Sequence, residues 1–468
     1  MLQRRTLAIA ATCAGGFLAF LDTTIVNVSF PSIAESFPDA ERADLSWVLD
    51  AYFIVIAALL VPAGAIADRY GRKRVFLIAI VGFVLTSILC AVAPTWELLV
   101  GARALQGASA AVLTPVSMAL MLPEFTAARR ATGVGIWGAA AAFAAAAGPP
   151  LGGVIVHLAD WRWIFLVNVP IGLVVLVIGR SALLESVDEE ATGLPDLLGA
   201  ALTILGLGVL ALAIVEGGTW GWSSPGIVAS FVIAAVLSGV VAWRCSTHPR
   251  PIIDPELLRV PSFRDANIAT LLFAMAFFST LLGNILFLTS VWQFTVLAAG
   301  LAVLPGPLAS TVVAGPAGRL ADRFGHRAVI VPGVIFYVAG LLVLRSAGLD
   351  TDYVGVWLPG QILTGIGIGL AFPTLGAAAL TAISQRQFGT ASAVSSAFRQ
   401  FGAVLGTAIL VAIVGSPLTL AAANDASDRA YIFSAAAALA AGLITLTLRR
   451  IPEPKVVEVS DPEPLAAR

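Results

Sequence analysis

The 468-residue sequence predicts an all-α integral membrane fold, two parallel six-helix bundles with two further helices inserted between them, fourteen transmembrane helices in all. Three observations predict it. Apolar residues make up 59% of the chain and charged residues only 12%, against about a quarter charged in soluble domains, so a water-soluble domain is excluded. Basic residues crowd into alternate loops. A charged, glycine-flanked turn, Gly64 to Arg74, returns 254 positions later as Gly318 to Arg327, each copy lying between long apolar runs. A net charge of -1 gives no reason to expect a nucleic-acid partner.

A hydrocarbon core of about 30 Å takes roughly 20 apolar residues per helix. Runs that meet this, ended by charge, glycine or proline, are expected near residues 7–30, 45–66, 75–94, 97–121, 131–156, 162–181 and 195–215. Seven more fall near 225–243, 266–291, 297–318, 328–347, 354–382, 389–414 and 429–448. The start, Met-Leu-Gln-Arg-Arg, has the charge of a signal peptide, but the apolar run continues past Asp22 to Phe30 and is read as an uncleaved first span. Cys13, Cys90 and Cys245 lack metal or disulfide spacing and are read as packing residues; His157, His248 and His326 fall in loops or at helix ends, so no metal site is expected.

Loop charge tests the span count independently. Alternate loops, counted from the N-terminus, hold 21 of the 27 basic residues, whereas the intervening loops hold only Arg42, Arg162, Arg345 and Arg429. Arg103 and Arg399 lie inside spans. A missed or invented span in mid-chain would scramble this asymmetry, so both termini are expected on the cytoplasmic side of the cell membrane.

A second repeat pairs Arg103-Ala-Leu-Gln-Gly107 and Pro115 with Gln361-Ile-Leu-Thr-Gly365 and Pro373, 258 positions on. Spans 1–6 therefore correspond to spans 9–14. A shift of eight is even, so the halves run parallel through the membrane. The expected domains are an amino-terminal bundle (1–183), linkers and inserted helices (184–262), a carboxy-terminal bundle (263–450) and a cytoplasmic tail (451–468).

Over essentially its whole length the sequence resembles the major facilitator superfamily, specifically its 14-helix drug:proton antiporters. The resemblance rests on Gly64-Ala-Ile-Ala-Asp68-Arg69-Tyr-Gly71-Arg72-Lys73-Arg74, on Leu21-Asp22-Thr23-Thr24-Ile25-Val26-Asn27 with Pro31, and on Arg103-Ala-Leu-Gln106-Gly107. Gly148-Pro149-Pro150-Leu151-Gly152-Gly153 and Trp161-Arg162-Trp163-Ile164-Phe165 with Asn168 and Pro170 complete it. It implies that the charged turn, with Gly64, Asp68, Arg69, Gly71 and Arg72 in one copy and Asp322 and Arg323 in the other, latches the cytoplasmic side shut in the outward-facing state. It also implies that Gly148-Pro149 marks exporters, as a kink that seals against proton leak.

Ionisable groups inside spans carry the sharpest signal, because a charge at mid-bilayer costs about 2.5 to 3.5 kcal/mol even on the insertion scale. Asp22 and Arg103 come to similar depths, about 12 and about 9 Å below the outer surface at 1.5 Å per residue. Such a pair suits proton coupling, since the carboxylate's proton affinity depends on whether the arginine and water reach it; a static pair fixing two helices is the alternative. Asp50, at a similar depth where the family pattern usually has a neutral polar residue, is a second protonatable site, a substrate contact or a wetted residue near the external mouth. Arg399 lies near mid-membrane with backbone carbonyls, an anionic substrate group or Asp22 as possible partners. Thr23, Asn27, Gln106, Trp137, Asn284, Gln361, Arg399 and Gln400 are expected to line a substrate cavity whose few polar groups suit a bulky lipophilic ligand.

The function expected is proton-driven efflux of lipophilic drugs or metabolites by alternating access, with no cofactor, by a monomer whose partners are lipid, protons and substrate. An importer or facilitator of a small polar solute and a lipid or glycolipid exporter share the scaffold. No nucleophile triad, metal spacing or phosphate-binding loop points to an enzyme.

Overall fold

The computed structural model describes residues 2–125, 130–187, 195–249, 251–381, 383, 388–415 and 417–448. Its long helices are α1 (Leu2–Ser36), α2 (Arg42–Tyr70), α3 (Arg72–Ala91), α4 (Trp96–Met121), α5 (Arg130–Leu158) and α6 (Trp163–Leu166 continued by Asn168–Ala182). The inserted pair is α7 (Leu197–Val215) and α8 (Pro225–Thr247). The remainder are α9 (Pro261–Ser290), α10 (Val296–Ala302 continued by Pro305–Phe324), α11 (His326–Arg345), α12 (Leu358–Leu380), α13 (Phe388–Val414) and α14 (Leu420–Thr445).

Among the described residues, thirteen helices are long and apolar enough to cross a membrane. The fourteenth, α14, has the length but carries Asp425, Asp428 and Arg429 near its start. It begins nine residues before the expected 429 because the Thr419 hydroxyl accepts from the Ala422 amide and caps the helix there. Similar caps open α4 (Thr95), α7 (Asp196), α8 (Ser224 with Pro225 following) and α10 (Thr295). The two repeated turns share one backbone device: Gly71 at φ +105° and Gly325 at φ +89° reverse the chain where a side chain would be strained.

Packing repeats with a shift of eight. α1 lies against α4, α5 and α6 as α9 lies against α12, α13 and α14; α4 contacts α2 and α3 as α12 contacts α10 and α11. The duplicated sequence thus yields two parallel bundles of like topology. The bundles meet where α2 packs on α13 and α5 on α10. α7 lies against both α2 and α13, and α8 packs chiefly on α7. Leu85, Val177 and Val236 are among the large apolar side chains left exposed on the outside, as lipid contact requires.

The two ends of the inter-bundle seam differ. Away from the charged turns the bundles touch closely: a Cβ added to Gly300 would lie 2.6 Å from the Pro149 carbonyl oxygen, and one on Gly153 would lie 3.1 Å from Leu297 Cα. Arg42 Nη1 also donates to the Gly415 carbonyl at 3.0 Å, joining α2 to the end of α13. Toward the charged turns, added methyls on Gly64, Gly315, Gly318 and Gly376 would meet nothing within 4 Å. The close glycine contacts across the seam thus lie at the face away from the charged turns, and the cleft between the bundles is read as opening toward the basic face.

Candidate functional site

The expected partners Asp22 on α1 and Arg103 on α4 form an ion pair of 2.5 Å, with both side chains fully buried. Around it a polar cluster joins five helices. Gln106 Nε2 donates to Asp22 Oδ1 at 3.0 Å and to Ser87 Oγ on α3 at 2.9 Å. Asn168 Nδ2 on α6 donates to the same Asp22 oxygen at 3.2 Å and to Ser87 Oγ at 3.3 Å. Arg103 Nη1 also donates to Gln106 Oε1 at 2.6 Å, and Arg103 Nε donates to the Val48 carbonyl of α2 at 3.0 Å. Its guanidinium lies 4.0 Å from the Tyr52 ring centre, a cation–π contact, while Tyr52 donates its own proton to the Ala19 carbonyl. Arg103 Nη2 and Asn168 Oδ1 are buried without a partner.

Gln106 belongs to this cluster and is fully buried, so it does not line the substrate cavity as the sequence suggested. Ser87, Asn168 and Tyr52 were not foreseen as site residues. The signal available for the first two was a polar residue within an otherwise apolar run.

Asp50 is fully buried, and neither carboxylate oxygen has a hydrogen-bond partner. The reading of Asp50 as a wetted residue at an external mouth is overturned. Three helix positions on, Phe53 stacks edge-on against Phe278 of α9 at 5.1 Å. Asp50 is about 60° from Phe53 around α2 and about 160° from Tyr52. It therefore points toward the seam between the bundles, away from the Arg103 cluster.

Arg399 of α13 reaches across the cleft to α1, with its guanidinium 5.6 Å from the Phe20 ring centre. Asp22, committed to Arg103, is not its partner. Phe20 in turn packs edge-on at 5.7 Å against Trp137, whose indole N–H donates to Ser117 Oγ. Of the other cavity candidates, Thr23 is half-buried and bonds to the Ala19 carbonyl, Asn27 bonds to the Thr23 carbonyl, and Gln400 is buried beside Arg399. Two turn away from the cleft. Asn284 accepts from the Tyr431 hydroxyl at 3.0 Å inside the second bundle, and Gln361 packs on Gly306 with its Nε2 unpartnered.

Among the described residues, no side chain of the charged turn is latched to the opposite bundle. Asp68 pairs with Arg72 one helical turn away at 2.7 Å, Arg69 lies over Tyr70, and Gly64 makes no close approach. In the second copy Arg323 lies over Phe324; the side chain of Asp322 is outside the described residues. Instead the first turn holds the chain leaving α6. Glu185 accepts from the amides of Lys73 and Arg74 at the start of α3, at 2.9 and 3.1 Å, where an anion suits the helix dipole. Lys73 Nζ donates back to the carbonyls of Arg180 and Leu183 at the end of α6.

Gly148 and Gly152 bring α5 against α1: added methyls there would crowd the Thr24 side chain and Ile25 Cγ1. Gly153 and Pro149 face α10 across the seam. The helix continues from Arg130 to Leu158 through Pro149 and Pro150, although neither proline has an N–H to close its rung of the ladder.

A family model described as Major Facilitator Superfamily matches residues 12–243 and 266–467. The chain belongs to the major facilitator superfamily. Its relatives place it in the superfamily's drug-efflux branch. It is 35% identical over 427 residues to the multidrug resistance protein Stp of Mycobacterium tuberculosis, covering 90% of this chain and 78% of that one. It is 31% identical over 433 residues to the drug efflux pump JefA of the same organism, covering 92% and 84%. The methylenomycin A resistance protein of Bacillus subtilis is 31% identical over 449 residues, covering 94% of each. In fold, this major facilitator protein is similar to the xylose transporter XylE from E. coli in a partially occluded inward-open conformation, at TM-score 0.67 and 14% identity, covering 97% of this chain and 100% of that one. The human organic anion transporter MFSD10 matches at TM-score 0.62 and 15% identity, covering 94% and 99%.

Proposed function

We propose that this protein is a proton-coupled exporter of lipophilic small molecules, drugs or metabolites, acting as a monomer in the plasma membrane with both termini cytoplasmic. Relatives named for drug resistance and efflux support export. The concentration of basic residues on one face supports the orientation. On that reading the open end of the cleft faces the cytoplasm.

The observation that carries proton coupling is the fully buried Asp22 carboxylate, held by one cation and two amides drawn from two other helices. Ionised, it balances Arg103. A proton arriving on Asp22 removes that balance and turns an acceptor into a donor, so Arg103, Gln106 and Asn168 must re-pair. Because these groups come from α1, α4 and α6, their re-pairing changes how the first bundle packs against the second. Asp50, pointing into the closed outer seam, becomes accessible when that seam parts, which suits it to take up a proton from outside. The gradient supplies the driving force, and no cofactor is required.

The test is a growth-inhibition panel in a drug-hypersensitive host, run in parallel for wild type, Asp22→Asn and Asp22→Asn/Arg103→Gln. Resistance should be lost in both variants while membrane levels of the double variant stay normal. Wild-type resistance in the double variant would refute coupling through Asp22.

A further inference from the structure

Asp22 and Asp50, the membrane-embedded carboxylates of the first bundle, are unavailable to a solute in the cleft. Asp22 is fully buried against Arg103, and Asp50 is fully buried toward the seam. Arg399 differs. It is partly exposed, forms no ion pair or hydrogen bond among the described residues, and has the Phe20 ring as its contact. Phe20 packs edge-on against Trp137, so the guanidinium meets an aromatic wall from the first bundle. A guanidinium is always charged and offers a planar fork of donors that fits a carboxylate or sulfonate.

We infer that the transported molecules are lipophilic organic anions whose acid group pairs with Arg399 while the apolar body packs on Phe20 and Trp137. This deepens the export reading and rests on it for direction, but not for binding. At the depth of Arg399 a cationic drug would meet a like charge and, among the described residues, no accessible carboxylate, so this part of the cleft selects against it. The Phe20 contact is then the resting cover of the guanidinium. An entering aromatic acid replaces that ring contact with a charge-assisted hydrogen bond.

Binding and transport are read separately on the full chain. In nanodiscs, tryptophan-to-dansyl energy transfer is titrated with dansylglycine and with its uncharged amide, for wild type, Arg399→Lys and Arg399→Gln. Wild type should bind the acid at least tenfold more tightly than the amide. The ratio should fall severalfold in Arg399→Lys, which keeps charge but loses the fork, and approach one in Arg399→Gln. A wild-type ratio near one, absence of saturable acid binding, or an unchanged ratio in Arg399→Gln would overturn the inference. Energised inside-out vesicles then report direction: acid bound with the predicted ratio but not accumulated would defeat the export reading while leaving the anion site standing.

Discussion

Asp22 and Arg103 are mutually dependent. Removing one partner from a buried pair typically costs about 3 to 5 kcal/mol, because the other charge is stranded, whereas replacing both together costs far less. Asp22→Ala should therefore lower the thermal midpoint sharply, and Asp22→Asn/Arg103→Gln should recover most of the loss in the same melting experiment. Asp50 should behave oppositely. Its carboxylate has no partner, so Asp50→Leu is expected to raise stability, by about 1 to 3 kcal/mol, while lowering transport; a fall in the thermal midpoint would contradict this. Matching depths along the sequence made the Asp22–Arg103 pairing legible. What sequence could not supply was the angular position of each side chain about its helix. That is why Gln106 was expected at the cavity rather than on Asp22, and why Asn168 and Ser87 were passed over as site residues.

Among the elements, α5 shows how one run of glycines serves two contacts. Gly148→Ala would press on Thr24 and the Ile25 amide within the first bundle, and overpacking of this kind costs about 1 to 3 kcal/mol. Gly153→Ala would press on the backbone of α10 across the seam, where the bundles can part. The first variant should melt earlier. The second should melt near wild type but shift the protein toward forms open at the outer face, measured by interspin distances between labels on α5 and α10. The inserted pair is held at its basic end, where Asp196 caps α7 and takes a two-oxygen grip from Arg244, at 2.6 Å for the shorter contact. Burial alone would raise the Asp196 carboxyl, but Arg244 and the Gly199 amide outweigh it and hold it below the usual range. This stabilisation is present above the carboxylate's ordinary pKa and is lost as pH falls through the lowered one. Melting of wild type should weaken on acidification below about pH 4, and Asp196→Ala, whose cap is worth about 1 kcal/mol, should remove that part of the acid dependence. The span count was readable from loop charge, but the hold of Glu185 on the turn before α3 was not, since the two are separated by more than a hundred residues of chain.

For the whole molecule, the seam shut at one end and open at the other defines a single conformation of a transport cycle. Cysteines placed at Gly64 and Gly318, where an added Cβ meets nothing within 4 Å, should react readily with an impermeant maleimide applied to inside-out vesicles. Slow labelling at both sites would mean that the resting protein is closed at its basic face.

The position of α7 makes the protein's two flanks unlike. Between α2 and α13 a membrane-dissolved molecule finds α7 in the way and α8 outside it, two layers of roughly 8–10 Å each. Between α5 and α10 no helix among the described residues gives such cover, and Phe143, Leu158, Leu308 and Val312 are exposed. A solute that travels within the bilayer is therefore expected to enter at one flank of this protein rather than two. A photoreactive fatty-acid probe should accordingly mark α5 and α10 and spare α2 and α13.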